Sequence, residues 1–168
     1  MALWREGGFV QNLWTQVADD AAMPGDGAAI VSLGRWRRER EELSKREAPV
    51  GVEISAGKDA LEHLADAADR ALVALRFDKF GDGRAFSYAI LLRERHGFSG
   101  ELRAVGDVLL DEIPLMLRCG FTAFEVANPS TLRALEEGRL PKVAFAYQRG
   151  HGAGEAPAGT RPWTRKTG

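Results

Sequence analysis

From Ala28 onward, short apolar runs alternate with amphipathic segments of helical length, and this alternation limits the folds open to the chain. A helix between two strands returns the chain in the same direction, so the pattern predicts a mainly parallel sheet. The runs of strand length are Ala28–Leu33, Val50–Ser55, Leu72–Phe77, Glu101–Val105, Ala123–Ala127 and Val143–Tyr147. The helical segments between them are Trp36–Arg46, Lys58–Arg70, Arg84–His96, Val108–Cys119 and Ser130–Glu137.

The two ends of the chain follow other patterns. Leu3–Arg5 and Phe9–Gln11 flank Gly7 and Gly8, which can take the positive φ of a short hairpin loop. This predicts a small β-hairpin over residues 1–14, followed by a loop over 15–27. Residues 149–168 are rich in Gly, Pro and Thr without periodicity, which predicts a disordered tail.

These patterns predict a single α/β domain over residues 1–148. We expect about five or six strands in its sheet and helices on both faces, with the hairpin as a small addition. A partial barrel is the alternative, because the order of the strands in the sheet cannot be read from one sequence.

Charge and composition exclude several classes of protein. Lys+Arg 23 against Asp+Glu 24 gives a net charge of -1, so no basic field is available to hold nucleic acid or an acidic membrane surface. No apolar run approaches the roughly 18 residues of a membrane helix, and the first residues lack the apolar core of a signal peptide. We therefore expect a cytoplasmic location. The single cysteine excludes an internal disulfide and any iron–sulfur or zinc site built from cysteines of this chain alone.

The loop Asp78–Arg84 is the richest candidate for a binding site. Ligands of parallel sheets bind beyond the carboxyl ends of the strands, where loops lead into helix N-termini. The glycines of this loop permit a close backbone approach, and its two cations and the helix that follows favour an anion. The candidate residues for binding an anion or another ligand are Lys79, Gly81, Asp82, Gly83, Arg84, Arg103, Asp107 and Asn128.

Other interpretations of this region remain open. Asp82 could cap the helix while Arg84 pairs with Asp107 or Asp78, in a purely structural arrangement. Acidic residues of the same region could hold magnesium through oxygen ligands, but their spacing matches no known cage, and we predict no metal site. The residues in question are Asp78, Asp82, Asp107 and Asp111. Because the chain has neither a dinucleotide fingerprint nor a P-loop, we predict no cofactor.

The single cysteine, Cys119, falls in the last turn of a predicted helix, just before Gly120. The negative end of the helix dipole disfavours a thiolate at this position. We therefore expect Cys119 to be an inert, mostly buried thiol rather than a redox group.

Four segments carry a resemblance to a known family: Phe80–Ser87, Leu92–Arg95, Gly100–Val108 and Arg118–Phe121. Together they resemble a family of small bacterial proteins of unknown function whose genes lie beside those for assimilatory sulfite reduction. The family's oxidoreductase label rests on gene neighbourhood, and the family has no established catalytic residues to carry over.

The resemblance implies a role in sulfur assimilation, and two hypotheses follow. The favoured one is an auxiliary protein without its own redox centre. It would bind sulfite reductase or another sulfur-assimilation protein, or a small oxyanion. The alternative is an enzyme that acts on a small oxyanion. In that enzyme Arg84 and the loop amides would hold the substrate, and Asp82 or Asp107 would handle a proton.

Overall fold

The computed structural model of the protein describes residues 1–78 and 83–141. Its strands are β1 (Ala2–Arg5), β2 (Gly8–Val10), β3 (Trp14–Gln16), β4 (Ala28–Ser32), β5 (Val50–Ser55), β6 (Leu72–Phe77), β7 (Glu101–Gly106) and β8 (Ala123–Val126). Its helices are α1 (Leu33–Arg38), α2 (Arg40–Leu43), α3 (Lys58–Glu62), α4 (Arg84–Glu94), α5 (Ile113–Arg118) and α6 (Pro129–Glu136), and a 3₁₀ turn covers Leu64–Ala67. The strand predicted at Val143–Tyr147 and the tail predicted over 149–168 lie outside the described residues.

Within the described residues, the strands form one mixed sheet of eight strands in the order β2-β1-β8-β7-β6-β5-β4-β3. Neighbouring strands from β3 to β8 are parallel, whereas β1 is antiparallel to both β2 and β8. The predicted α/β class is therefore confirmed, but the sheet has more strands than expected. The hairpin is not a small addition, because β1 pairs with β8 inside the main sheet. The loop predicted over 15–27 is also wrong at its start, where β3 lies.

The sheet is curled, because its two edge strands are almost consecutive in the chain. β2 ends at Val10 and β3 begins at Trp14, yet they lie at opposite edges of the sheet. Seven strand spacings would separate the edges of a flat sheet by about 34 Å. The chain from Val10 to Trp14 can span at most about 14 Å. The sheet must therefore curve toward closure, which agrees with the alternative of a partial barrel.

The main hydrophobic core lies on the outer face of this curl. Strand order follows chain order from β3 to β8, so right-handed crossovers place the connecting helices on the same face. Helix side chains such as Trp36 and Leu92 pack there against strand side chains such as Val52, Leu75 and Phe124. The inner face has a smaller cluster of strand residues, namely Ile30, Leu72, Ala74 and Val105, with Trp14 packed against it. Within 1–78 and 83–141, the expectation of helices on both faces is thus wrong.

Local signals explain where two of the helices begin. α5 is shorter than the predicted segment Val108–Cys119, because Pro114 lies in its first turn and Glu112 is its N-cap residue. α6 begins at Pro129, one residue before the predicted segment Ser130–Glu137, and Asn128 is its N-cap residue. No helix in the described ranges is long and apolar enough to cross a membrane.

Candidate functional site

The inner face of the sheet carries a row of charged side chains. Glu53 and Arg103 are register partners of Ala74, and Arg76 is the partner of Val105, so all three share the face of the inner apolar cluster. Adjacent side chains of a strand alternate between faces, which places further charges on the same face. The charged residues of this row, from β5 through β8 to β1, are Glu53, Arg76, Glu101, Arg103, Glu125 and Arg5.

Glu53 and Arg76 form a two-point ion pair near the carboxyl ends of β5 and β6. Arg76 donates from Nε to Glu53 Oε1 at 2.6 Å and from Nη2 to Glu53 Oε2 at 2.9 Å. The hydrogen bonds to Glu53 raise the pKa of Arg76 above its ordinary value, against the opposing effect of burial. The charges of Glu53, Asp78 and Glu125 raise the pKa of Arg76 further. Arg76 is therefore permanently charged, and it lies near the carboxyl ends of the strands.

Arg103 lies deeper, and its side chain is 0% exposed. Its Nε donates to Glu101 Oε1 at 2.8 Å and its Nη1 donates to Asn12 Oδ1 at 3.0 Å. Glu125 Oε2 is 3.8 Å from Nη1. Nη2 lies 2.8 Å from Glu101 Oε1 but is not aligned for a hydrogen bond, so this buried group has no hydrogen-bond partner. Arg5 donates to Glu101 as well, which extends the network to β1.

The candidate residues that the sequence predicts at the carboxyl edge of the sheet have different places in the structure. Gly83 and Arg84 begin α4, beside the end of β6. Asn128 is used structurally, since its Oδ1 accepts hydrogen bonds from Ser130 N at 2.9 Å and from Thr131 N at 3.3 Å. Asn128 is therefore a helix cap. The remaining candidates of the loop Asp78–Arg84 lie outside the described residues. They are Lys79, Gly81 and Asp82.

Asp107 is fixed by its backbone at the end of β7. Its N–H donates to Phe77 O at 2.8 Å, which ties the end of β7 to the end of β6. Burial raises the pKa of nearby Glu112, and the charges of Asp111 and Asp107 add to that increase. In the part of the chain that the structure describes, no group of three or more His, Cys, Asp or Glu side chains could hold a metal ion.

Cys119 lies directly after the last residue of α5, and its predicted burial is confirmed. Burial raises the pKa of its thiol, and the opposing effect of Arg118 is smaller. The thiol form is thus favoured at neutral pH, as expected for an unreactive cysteine.

The sequence reasoning singled out Arg103, but it missed Glu53, Arg76 and Asn12. A signal for the first two was present. A charged residue inside a strand that is otherwise apolar must face a partner or a site, because an unpaired buried charge is costly. No comparable signal marks Asn12, since its contact with Arg103 spans 91 positions of the chain.

A family model for DUF934, described as a bacterial protein of unknown function, matches residues 51–157, more than half of the chain. The chain belongs to this family. No curated protein and no solved structure matches it. The DUF934 match includes nearly all of β5 and the whole of β6, β7 and β8, which carry most of the inner charged row. Arg5 and Asn12, which contact this row from the N-terminal strands, precede the match.

Proposed function

We propose that this DUF934 protein is an auxiliary protein of assimilatory sulfite reduction that binds a small oxyanion and has no redox centre of its own. The binding position would be the carboxyl edge of the sheet, where α4 begins. The link to sulfite rests on the resemblance to proteins encoded beside sulfite reductase, and it makes sulfite and sulfate the first anions to test.

The start of α4 is the observation that carries the proposal. Gly83 is its N-cap residue and offers no side-chain acceptor, and the first turn contains Arg84 but no acidic residue. α4 has 11 residues, long enough to present free N–H groups and the positive end of a helix dipole. These features together favour an anion, and a guanidinium can hold an oxyanion through two N–H groups.

The other cation of this edge is a weaker candidate. Two N–H groups of Arg76 already donate hydrogen bonds to Glu53, so an anion would have to compete with this carboxylate. Arg103 is fully buried and lies below the edge. We assign the oxyanion to the first N–H groups of α4, where Arg84 adds a positive charge.

The experiment is a thermal unfolding series in sulfite, sulfate and chloride at matched ionic strength. A bound anion stabilises the folded state beyond the general salt effect, so sulfite or sulfate should raise the Tm more than chloride does. Arg84→Ala should remove this excess, and Arg84→Lys should lose much of it, because a point charge cannot replace a two-point fork. Arg139→Ala is the matched control, since Arg139 is an exposed arginine paired with Glu137. Equal effects of all three anions on the wild type would contradict the proposal.

An enzyme acting on a small oxyanion is the second candidate function. The raised pKa of Glu112, beside Asp107 and Asp111, supports it, because a raised pKa brings a carboxyl group closer to the range in which a general acid works. The two functions differ in what the purified protein does alone. An auxiliary protein should be colourless and inactive, yet associate with purified sulfite reductase in a native pull-down. Turnover of sulfite without that partner would favour the enzyme.

A further inference from the structure

The edge of β2 that faces away from β1 is an apolar strand edge. Within residues 1–78 and 83–141, β2 pairs with β1 alone, through the register Trp4↔Phe9 and Leu3↔Val10. Trp4 and Leu3 are buried, whereas Phe9 and Val10 are 37% and 41% exposed. Natural proteins protect edge strands with charged residues or proline, and β2 contains neither. An edge of this kind favours pairing with a further strand.

The chain returns to the sheet after α6. Gly138, with φ of 69°, ends the helix, and the Arg139 N–H donates to Ala134 O at 2.8 Å, which turns the chain. Leu140 is then partly buried and packs against the main core. α6 itself contacts β2. The last described residues therefore leave a helix that lies against β2 and lead back to the sheet.

The strand directions fit a further strand beside β2. β1 is antiparallel to both β8 and β2, so β2 runs parallel to β8. Both sides of β1 are occupied by these two strands, and the next position in the same direction along the sheet is the edge of β2. α6 lies on the outer face like the preceding helices, since Leu135 belongs to the main core. A right-handed crossover through α6 would therefore place the next strand beyond β2 and parallel to it.

A segment of strand length follows the last described residue almost at once. Val143–Tyr147 contains no charged residue, glycine or proline, and its Val, Phe and Tyr residues favour strands. It begins three residues after Leu140, so its start lies within about 11 Å of a residue that packs on the core. The DUF934 match continues to residue 157 and includes this segment. Its length, apolar character and starting point match the uncovered edge of β2.

We propose that Val143–Tyr147 docks on the edge of β2 as a ninth strand of the sheet, parallel to β2. Its backbone would pair with the N–H and C=O groups that β2 directs away from β1, and its side chains would cover Phe9 and Val10. A docked segment would also keep this edge from pairing with a second copy of the chain. The inference does not depend on the proposed oxyanion site, because α4 follows β6, which lies four strands away from β2.

Hydrogen exchange of the full-length protein, followed by mass spectrometry, tests the docking. Alternate residues of an antiparallel strand direct their N–H groups toward the neighbour, so at least one amide of Gly8–Val10 faces away from β1. This amide should be protected in the wild type. Phe145→Pro disrupts strand pairing of the segment, so the β2 peptide should exchange at least about tenfold faster. Ala153→Pro, which lies after the segment, is the matched control and should exchange like the wild type.

A disulfide scan gives a second measurement, and it decides the question where Phe145→Pro also speeds exchange in β6 and has therefore lost the fold. Phe9→Cys is combined in turn with Ala144→Cys, Phe145→Cys or Ala146→Cys, and each protein is oxidised at low concentration. One of these pairs should form an intramolecular disulfide, because neighbouring strands bring Cβ atoms into range. Phe9→Cys with Ala153→Cys is the control and should form none.

Four results would overturn the inference. They are unprotected β2 amides in the wild type, unchanged β2 exchange in a folded Phe145→Pro protein, no intramolecular disulfide in any of the three pairs, and β2 protection that is lost on dilution. The last result would mean that a second copy of the chain, rather than Val143–Tyr147, covers the edge.

Discussion

Arg93 of α4 holds the backbone oxygen of Gly120 with two N–H groups, at 3.0 Å from Nε and at 2.8 Å from Nη2. Its Nη1 donates to Phe98 O at 2.7 Å and to Gly100 O at 3.0 Å. The guanidinium carbon lies 5.0 Å from the centre of the Phe98 ring. Burial lowers the pKa of Arg93. One side chain therefore joins the segments before β7 and before β8, at the edge of the sheet opposite the candidate site.

Replacing Arg93 should cost far more stability than replacing a neighbouring arginine. Arg93→Ala leaves three backbone oxygens without their charged donor, and we expect a loss of about 3 kcal/mol in the free energy of unfolding. Arg95→Ala changes an exposed arginine just after the end of α4 and should cost less than about 0.5 kcal/mol. Chemical denaturation of both variants measures the difference. Similar losses in the two variants would contradict a structural role for Arg93.

The parallel part of the fold could be predicted because most of its strands are short apolar runs that can be recognised in the local sequence. Leu72–Phe77, for example, was predicted with the bounds that the structure gives to β6. β3 could not be found this way, because Trp14–Gln16 is short and lacks an apolar pattern. The curl of the sheet depends on β2 and β3 lying at opposite edges, and pairing between distant strands leaves no periodic trace in the sequence.

A general rule predicted the loop residues of the candidate site, whereas most of its strand residues, Arg103 excepted, were missed. The general rule for parallel sheets led to Arg84 and Asp107, which lie at the carboxyl edge. Arg76 and Glu53 are 23 positions apart, and only the register of β5 on β6 brings them together. The rule therefore identifies loop residues at the carboxyl edge of such a sheet, but it does not identify ion pairs between strand side chains on the inner face.

The ion pair of Glu53 and Arg76 should contribute more to stability than an exposed pair. A double-mutant cycle with Glu53→Gln and Arg76→Gln should give a coupling energy of about 1–2 kcal/mol, because the pair is two-pronged and partly desolvated. The pair of Glu137 and Arg139 is about half exposed and serves as control, with coupling below about 0.5 kcal/mol. Both cycles can be measured by urea unfolding. Equal coupling in the two pairs would refute the distinction.

Glu112 should make the stability of the protein depend on pH in a specific direction. Burial raises the pKa of Glu112 in the folded protein, so the folded state binds its proton more tightly than the unfolded state does. The stability that this provides is present below the ordinary pKa of 4.5 and is lost as the pH rises through the folded-state value. Glu112→Gln should therefore be more stable than the wild type at pH 7, by up to about 0.5 kcal/mol. The advantage should disappear near pH 4, and an advantage that grows toward acid would contradict it.

Cys119 should label slowly in the folded protein. Its thiol is buried and its pKa is raised by that burial, so both access and the thiolate fraction are low at neutral pH. A chromogenic thiol reagent should react fully within seconds in denaturant and at least about a hundredfold more slowly in native buffer. Fast native labelling at pH 7 would show that the thiol is accessible and reactive.

Gly106 should tolerate no side chain, and its replacement tests how the rim of the site is built. Gly106 has φ of 91°, and a Cβ there would lie 2.4 Å from Phe77 O, the oxygen that accepts the Asp107 N–H. Gly106→Ala combines backbone strain with a clash against β6, so we expect a loss of about 3 kcal/mol in the free energy of unfolding. Gly138→Ala is the matched control, because Gly138 has φ of 69° but nothing within 4 Å of an added Cβ. It should lose only about 1 kcal/mol, the cost of the conformation alone. Backbone strain is common to both variants, so the difference between their urea midpoints measures the cost of the close contact between β7 and β6. Equal losses in the two variants would mean that this contact is not needed to hold Asp107 at the rim.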